Sequence, residues 1–131
     1  MELYRKKHVR KDGWLVELIS MKYDDTPFNC LHSYLVLINP GETRAKHYHT
    51  KKDEWIAITS GKVMILMEDI HSTGKENIIL DINSTDYKLI HVPPFTAHAV
   101  KNIGTDKASI IVFSTAIEDP SDTIPYEFEV A

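Results

Sequence analysis

The stretch at positions 41–61 reads GETRAKHYHTKKDEWIAITSG. Its β-branched and aromatic residues predict two short strands on either side of a polar loop. His47 and His49 are two residues apart on the first strand, so a strand points both side chains to the same face. Glu54 begins the second strand, and we expect it to lie across from them. The stretch therefore predicts a sheet that carries imidazole and carboxylate groups on one face.

The rest of the chain continues this pattern of short strands and polar turns. No segment shows a sustained helical period with capping residues at both ends. About nine short strands, with turn signals roughly every eight to twelve residues, are typical of an all-β sandwich or barrel. The predicted strands are Trp14–Ser20, His32–Ile38, Ala45–His49, Glu54–Thr59, Lys62–Asp69, Asn77–Ile82, Tyr87–Val92, Ala97–Asn102 and Ala108–Thr115.

Length and composition predict one globular domain over residues 1–131. The chain is 43% hydrophobic and 26% charged, which is typical of a folded domain and argues against disorder. A chain of this size buries enough surface to fold without a metal or disulfide staple. We expect a core over residues 32–115, an N-terminal strand arm and a C-terminal tail that wraps the surface.

Cysteine content and hydropathy bear on the compartment. Cys30 is the single cysteine, which excludes an internal disulfide and a thiolate metal cluster and suits a reducing compartment. The longest apolar run is Val63–Met67, far below the ~20 residues that span a bilayer. With no apolar signal segment visible at the N-terminus, we expect a cytoplasmic protein with no membrane partner.

The charge pattern argues against a nucleic-acid partner. The net charge is -4, and a net acidic domain without a basic-aromatic pattern binds nucleic acid poorly. Five of the 15 basic residues lie in the first eleven positions, which we interpret as an exposed first strand with solvated side chains.

Four potential metal ligands converge if the strands pair as expected. His98 lies on a later strand and should face inward with the groups quoted above. Three imidazoles and one carboxylate suit a mononuclear site for zinc, iron, manganese, nickel or copper, and the sequence does not choose among them. The alternative for His47 and His49 taken alone is a pair of exposed strand histidines.

The remaining histidines have simpler interpretations. His91 precedes a proline-rich turn and is interpreted as a core-edge or hydrogen-bonding residue. His8, His32 and His71 lie in or near segments expected to be exposed, so we interpret them as surface residues.

The spacing of the ligands resembles the two sequence motifs of the cupin superfamily. The first motif is present in full at Gly41, His47, His49, Glu54 and Gly61. The second motif is present in part, at Pro93, His98 and Asn102. The resemblance covers residues 35–115 and implies a double-stranded β-helix, or jelly roll. It also implies a metal held by His47, His49, Glu54 and His98.

Flanking segments narrow the resemblance. Residues 12–17, 44–48 and 89–98 are similar to the dTDP-4-dehydrorhamnose 3,5-epimerase family, in which the histidine of the second segment is the base. Residues 46–54 are similar to the cupin half of bacterial capsule sugar-nucleotide epimerase/reductases, which carries metal-type ligands. The resemblance implies an epimerase or keto-isomerase acting on a nucleotide-linked deoxy sugar in polysaccharide biosynthesis. A homodimer is expected for this branch.

The implied reaction needs a base, a proton donor and stabilisation of an enolate oxygen, because a keto group acidifies the neighbouring C–H bonds. One divalent transition metal (zinc, iron, manganese or nickel) would polarise the keto oxygen. Without metal, His47 would be the base. With metal bound, the base must be another residue, because a ligated imidazole nitrogen cannot also accept a proton. His47 and Tyr126 are therefore assigned as catalytic, with Tyr23, Tyr34 and His91 as further acid–base candidates.

Three residues are assigned to substrate binding. Arg44 and Lys46 could bind the diphosphate of a sugar nucleotide, Arg44 through bidentate hydrogen bonds. Phe95 replaces the usual glycine of the second motif and is expected to narrow the pocket mouth or to offer a stacking face.

Two other function classes stay open. The first is a different metal-dependent cupin enzyme, either a sugar-phosphate isomerase or a dioxygenase. The second is a non-catalytic sugar-binding cupin, against which the intact ligand set argues, because a binding module has no need for all four groups.

Overall fold

The computed structural model describes residues 2–20, 22 and 29–128. Its strands are β1 (Glu2–Lys6), β2 (His8–Arg10), β3 (Gly13–Leu15), β4 (His32–Ile38), β5 (Thr43–Tyr48), β6 (Glu54–Ser60), β7 (Lys62–Asp69), β8 (Lys75–Asp81), β9 (Asp86–Val92), β10 (Thr96–Asn102), β11 (Ala108–Ser114) and β12 (Ile124–Pro125). Within the described residues, the one helical segment is the three-residue 3-10 turn Pro120–Asp122. The described residues therefore contain no helix that is long and apolar enough to cross a membrane.

Two five-stranded antiparallel sheets form the body of the structure. One has the order β1-β9-β6-β11-β4, and the other has the order β12-β5-β10-β7-β8. β2 and β3 form a separate hairpin. The predicted all-β architecture is thereby confirmed.

The core lies between the two sheets and follows from strand alternation. In β7, Val63, Ile65 and Met67 are buried, and the residues between them are partly exposed. This strand therefore packs one face inward. β6 is different, because all of Trp55–Ile58 is buried. Its position in the middle of a covered sheet explains why its sequence reads as a continuous apolar run.

Most predicted strands are found, but the strand expected over Trp14–Ser20 is wrong beyond Leu15. Val16 and Leu18 instead pack against the core as a segment without strand pairing. The Arg5 guanidinium Nε donates to the Leu18 carbonyl at 2.9 Å. The apolar residues of this segment thus alternate because their side chains cover the core. The same alternation is typical of a strand, which explains the wrong prediction.

Two residues of the cupin-like motifs maintain the fold. Gly61 has a φ of 78°, and a Cβ there would lie 2.8 Å from the Ala108 Cβ, so the turn between β6 and β7 requires glycine. Asn102 is buried and donates to the carbonyls of Ile38 and Asp106 at 2.9 and 2.8 Å. Gly61 and Asn102 therefore stabilise the fold. The histidines and the glutamate of the motifs form the candidate site.

Candidate metal and sugar site

A cavity of about 600 Å³ lies between the two sheets, with strands of both contributing to its wall. Its apolar wall includes Ile56, Val100, Ile110 and Val112. The polar residues that line it are His32, Tyr34, Arg44, His47, His49, Lys52, Glu54, His98, Glu118 and Thr123. A cavity whose wall combines apolar side chains with convergent polar groups is a candidate small-molecule site.

The three predicted histidine ligands meet in this cavity. His47 on β5 is the register partner of His98 on β10, and their rings lie 4.7 Å apart between centroids. His49 follows β5, and its ring centroid lies 4.8 Å from that of His47. One nitrogen from each ring can be chosen so that the three atoms lie within 4.8 Å of one another.

The carboxylate comes from the opposite sheet. Glu54 begins β6 and is 1% exposed. Its Oε1 lies 3.4 Å from His49 Nε2 and 3.6 Å from His98 Nε2. Ligand atoms around a tetrahedral zinc ion, each about 2.0–2.1 Å from the metal, are separated by roughly 3.4 Å. The Glu54 contacts thus have the spacing of a shared coordination sphere.

Backbone carbonyls orient two of the imidazoles. His49 Nδ1 lies 2.9 Å from the Asp122 carbonyl, and His98 Nδ1 lies 3.3 Å from the Thr96 carbonyl. Because a carbonyl only accepts, each Nδ1 carries the proton and each Nε2 keeps a lone pair. His49 Nε2 is buried and lacks a hydrogen-bond partner among the described residues. An orphaned buried nitrogen on a carbonyl-anchored ring is what a metal ligand requires.

The protonation states agree with this geometry. Burial, together with the neighbouring His98 and His49, lowers the pKa of His47 to about 4. Burial also lowers the pKa of His98. Burial opposes ionisation of Glu54, but His49, His98 and Lys52 outweigh it and lower its pKa to about 2. At neutral pH the cavity therefore holds neutral His47 and His98 imidazoles beside a carboxylate.

Tyr34 and Lys52 complete the surroundings of Glu54. The Tyr34 hydroxyl donates to Glu54 Oε2 at 2.9 Å, and Lys52 Nζ lies 3.7 Å from the same oxygen. Burial and the Glu54 charge raise the pKa of Tyr34, so it stays protonated and is a donor rather than a base. Lys52 was not selected from the sequence, because a lysine in a polar loop resembles a solvated side chain.

A β-bulge in β5 separates the two predicted diphosphate-binding residues. Ala45 and Lys46 have φ values of 70° and 61°, and the β5–β10 register shifts beside them. Arg44 lines the cavity. Lys46 does not, since it precedes His47 by one residue and successive strand side chains point to opposite faces. The structure therefore places Arg44 at the cavity and Lys46 on the other face of the sheet, and their binding of a diphosphate stays a prediction.

Tyr126 shares the location of Lys46 on the outer face of the sheet. Both line a second groove, of about 770 Å³, together with Met64, Lys101 and Phe128. The Tyr126 hydroxyl donates to Glu68 Oε1 at 2.8 Å, and its backbone N–H donates to the Lys46 carbonyl. β12 pairs with β5 and carries Tyr126 past the sheet edge, so the structure does not bring this residue to the histidines.

Phe95 also lies apart from the residues described as lining the cavity. Its φ is 63°, the left-handed conformation that favours glycine, which explains why the second cupin motif usually has glycine here. Its ring lies 5.0 Å from that of His71, and its N–H donates to the His49 carbonyl at 2.7 Å. The structure thus places Phe95 against His71 and in support of the His49 backbone, and its role at the pocket mouth or as a stacking face stays a prediction.

The other histidine and tyrosine assignments divide clearly. His91 stacks on Trp55 at 4.4 Å, and its Nε2 lies 2.8 Å from Asp53 Oδ1, as expected for a hydrogen-bonding residue. His32, interpreted above as a surface residue, instead lines the cavity. Tyr23 lies outside the described residues.

The C-terminal tail contributes to the site through Asp122, which the sequence did not single out. Its carbonyl binds His49, and its carboxylate accepts from the backbone N–H groups of Thr50 and Lys51 at 2.9 and 3.1 Å. Burial opposes its ionisation, but these hydrogen bonds lower its pKa. Asp122 therefore ties the tail to the loop between His49 and Glu54.

The chain matches the model of one known protein family. The family model described as the polysaccharide biosynthesis C-terminal domain matches residues 8–124. The chain belongs to this family. The description of this family associates the chain with polysaccharide biosynthesis. Among curated proteins, none matches the chain.

Solved structures agree on the fold. CapF from Staphylococcus aureus, a capsular polysaccharide assembling protein, is 21% identical with a TM-score of 0.69, and the match covers 95% of this chain and 34% of CapF. The chain thus spans about a third of the length of CapF. QdtA, a sugar 3,4-ketoisomerase from Thermoanaerobacterium thermosaccharolyticum solved with TDP, is 20% identical with a TM-score of 0.76 over 95% of this chain and 85% of QdtA. NovW, a 4-keto-6-deoxy sugar epimerase from Streptomyces spheroides, is 16% identical with a TM-score of 0.82 over 92% of this chain and 65% of NovW.

Proposed function

We propose that this polysaccharide-biosynthesis domain is a metal-binding epimerase or keto-isomerase of a nucleotide-linked deoxy sugar. The observation that carries the proposal is the buried, unpartnered His49 Nε2, which faces Glu54 at 3.4 Å inside the cavity. An imidazole held this way is prepared for a ligand that no described residue supplies.

The choice of substrate is supported by the structural relatives. QdtA was solved with TDP, and its variant was solved with TDP-4-keto-6-deoxyglucose. NovW is a 4-keto-6-deoxy sugar epimerase. Epimerisation and keto-isomerisation can both begin with removal of a proton from a carbon beside a ketone. The same base and the same stabilisation of the enolate oxygen would therefore serve either reaction.

The residues fit one divalent transition metal, either zinc, iron, manganese or nickel. The residues that would hold it are His47, His49, Glu54 and His98. When bound, such a metal supplies Lewis-acid polarisation of a keto oxygen. Nitrogen and oxygen donors suit any of these ions, so the donor set leaves their identity open.

The chain's own residues bind the substrate and move its proton. Arg44 at the cavity wall can bind the diphosphate through two parallel hydrogen bonds. The Tyr34 hydroxyl keeps its proton and donates a hydrogen bond to Glu54 Oε2, so it orients that carboxylate. A metal-free version of the same reaction would use His47 as base, which its neutral form permits.

We also propose that the protein forms a homodimer through β4. This strand is at an edge of its sheet, and Leu35 and Leu37 on it are 70% and 54% exposed. An exposed apolar edge strand is a template for pairing with another chain. Light scattering on the Leu35→Lys variant should give a monomer, and an unchanged dimer would place the interface elsewhere.

The test of the proposed reaction is solvent deuterium exchange. Metal-loaded protein is incubated in D2O with TDP-4-keto-6-deoxyglucose, and the sugar is followed by NMR. We expect deuterium to enter at a carbon beside the keto group. Absence of exchange with this sugar and with its UDP counterparts would contradict the proposal.

A further inference from the structure

His32 lies on the wall of the cavity that holds the candidate ligands, and the reaction described above does not use it. It is the first residue of β4, and its side chain is on the same face of the strand as Tyr34, Val36 and Ile38. It is half-buried and lines the cavity. Among the described residues, none forms a hydrogen bond with its imidazole. Its ring nitrogens are therefore available to a molecule that enters the cavity.

The strand register places His32 at the level of Glu54. Ser114 on β11 is the register partner of His32 on β4 and of Glu54 on β6. Residues in register across a sheet point to the same face, and neighbouring strands lie about 4.8 Å apart. The backbones of His32 and Glu54 are therefore roughly 10 Å apart, with both side chains directed to the cavity. One bound sugar ring can contact both side chains at this spacing.

Tyr34 joins His32 to the candidate ligands. The rings of His32 and Tyr34 lie 5.6 Å apart between centroids. The Tyr34 hydroxyl in turn donates to Glu54 Oε2 at 2.9 Å. An imidazole packed against an oriented ring is itself restricted, which favours a fixed position relative to a bound substrate.

Most titratable groups of the cavity cannot be the base when the candidate ligands hold a metal. The lone pairs of the ligand imidazoles and carboxylate are then used for coordination. Tyr34 keeps its proton, because burial and the Glu54 charge raise its pKa. Lys52 is ion-paired with Glu54 at 3.7 Å, and the guanidinium of Arg44 does not lose its proton in proteins.

His32 and Glu118 are the titratable groups that remain in the described part of the cavity wall. Glu118 is exposed on the C-terminal tail. Histidine is the side chain most often used for proton transfer near neutral pH. His32 is therefore the better candidate for the base.

We propose that His32 is the base that removes the proton beside the keto group, an assignment that rests on the proposed function. In this step an unprotonated ring nitrogen of His32 takes the proton from carbon. The C–H electron pair forms the C=C bond, and the carbonyl π pair moves onto the keto oxygen. The imidazolium then returns a proton to carbon, so no oxidant or reductant is needed. Because the imidazolium N–H exchanges with D2O, deuterium enters the sugar.

The first test compares His32→Gln with His8→Gln, a matched change at an exposed histidine of the β2–β3 hairpin. A general base contributes typically 10²–10⁴ in rate. We expect His32→Gln to lower the exchange rate of TDP-4-keto-6-deoxyglucose by at least about 100-fold. Metal content and TDP affinity should stay at the wild-type values, because the candidate ligands and Arg44 are unchanged. His8→Gln should match the wild type in all three measurements.

Chemical modification tests the position of His32 without turnover. Diethyl pyrocarbonate acylates accessible, unprotonated imidazoles, and mass spectrometry of peptides follows each histidine separately. At about ten times its Kd, TDP-4-keto-6-deoxyglucose should slow acylation of His32 in the wild type by about tenfold. Acylation of His8 should be unaffected by the sugar.

Three results would overturn the assignment. Wild-type exchange in His32→Gln would show that His32 is not used, and loss of metal from that variant would show that it acts through the ligands. Acylation of His32 that the sugar does not slow would place the sugar elsewhere. If the wild type itself exchanges no deuterium, the proposed function fails and the assignment fails with it. Exchange by both the wild type and His32→Gln rejects the assignment alone.

Discussion

The two faces of β5 carry neighbouring residues with very different chemistry. On the inner face, His47 and His49 line a cavity with buried partners, including a nitrogen that lacks a hydrogen bond among the described residues. On the outer face, Lys46 is exposed, and Tyr126 beside it has its hydroxyl hydrogen-bonded to Glu68. The comparison shows that unmet hydrogen-bonding capacity, rather than the number of polar residues, distinguishes the inner face from the outer one.

The largest effect is expected from His49→Ala. The change removes a ligand whose anchor on Asp122 is already in place. Loss of a partner outside the coordination sphere typically costs 10–100-fold in metal affinity, so loss of a ligand should cost more. We expect deuterium exchange below detection and metal content near zero by mass spectrometry. His8→Ala, at an exposed histidine of the β2–β3 hairpin, should behave as the wild type. If the His49→Ala variant retained its metal, the unpartnered His49 nitrogen would not be needed for metal binding, and the proposed difference between the two faces would be contradicted.

Asp122→Ala should have an intermediate effect. It removes a carboxylate that accepts hydrogen bonds from Thr50 and Lys51, which leaves donors of a partly buried loop without an acceptor. Such a loss costs about 1–3 kcal/mol of unfolding free energy. We also expect about 10–100-fold weaker metal binding, because the loop holds the ligands in place. Chemical denaturation and metal titration measure the two effects. Glu127→Ala, at an exposed acid of the same tail, is the control, and equal effects in the two variants would show that the Asp122 carboxylate does not support the site.

Acid should destabilise the metal-free protein through the inner face. The folded protein keeps His47 neutral down to a pH of about 4, whereas an unfolded histidine takes up a proton below about pH 6.5. The unfolded chain therefore binds more protons, and stability falls as the pH drops from about 6.5 to 4. Denaturant midpoints across this range should fall less steeply for His47→Gln than for the wild type. His71→Gln, at an exposed histidine, should leave the slope unchanged. If the denaturant midpoint of His47→Gln fell with pH as steeply as that of the wild type, protonation of His47 would not be a cause of the acid destabilisation.

The smallest effect is expected from Tyr126→Phe on the outer face. The change removes one hydrogen bond to Glu68 and should cost about 0.5–1.5 kcal/mol of unfolding free energy. The exchange rate should stay at the wild-type value, because Tyr126 lines the outer groove and not the cavity. A large loss of exchange with unchanged stability would restore Tyr126 as a catalytic residue.

The sequence predicted the elements that depend on local pattern. His32–Ile38 and Lys62–Asp69 match β4 and β7 in full, and the other core strands differ by one or two residues at one or both ends. The two-residue spacing placed His47 and His49 on one face, since strand alternation is a local property. The same alternation would place Arg44 and Lys46 together on the face opposite His47. The bulge at Ala45 and Lys46 instead brings Arg44 to the cavity, and the sequence pattern does not reveal it.

The remaining features depend on contacts between distant parts of the chain. Asp122 reaches Thr50 across 72 positions of sequence, and no local pattern predicts such a contact. Lys52 is buried because its loop is held between the tail and Thr115, although its sequence context resembles a solvated turn. His32 enters the cavity because β4 is the edge strand beside it. Long-range packing therefore determines which of these polar residues belong to the site.

The most direct test of the account is the metal content of the purified protein. After incubation with zinc, iron, manganese or nickel and removal of excess ion, native mass spectrometry should show about one ion per chain. The same measurement on His98→Ala should show the ion lost, because the three imidazoles share one site. A wild-type protein that retains none of the four ions would contradict the account and leave His47 as a free base.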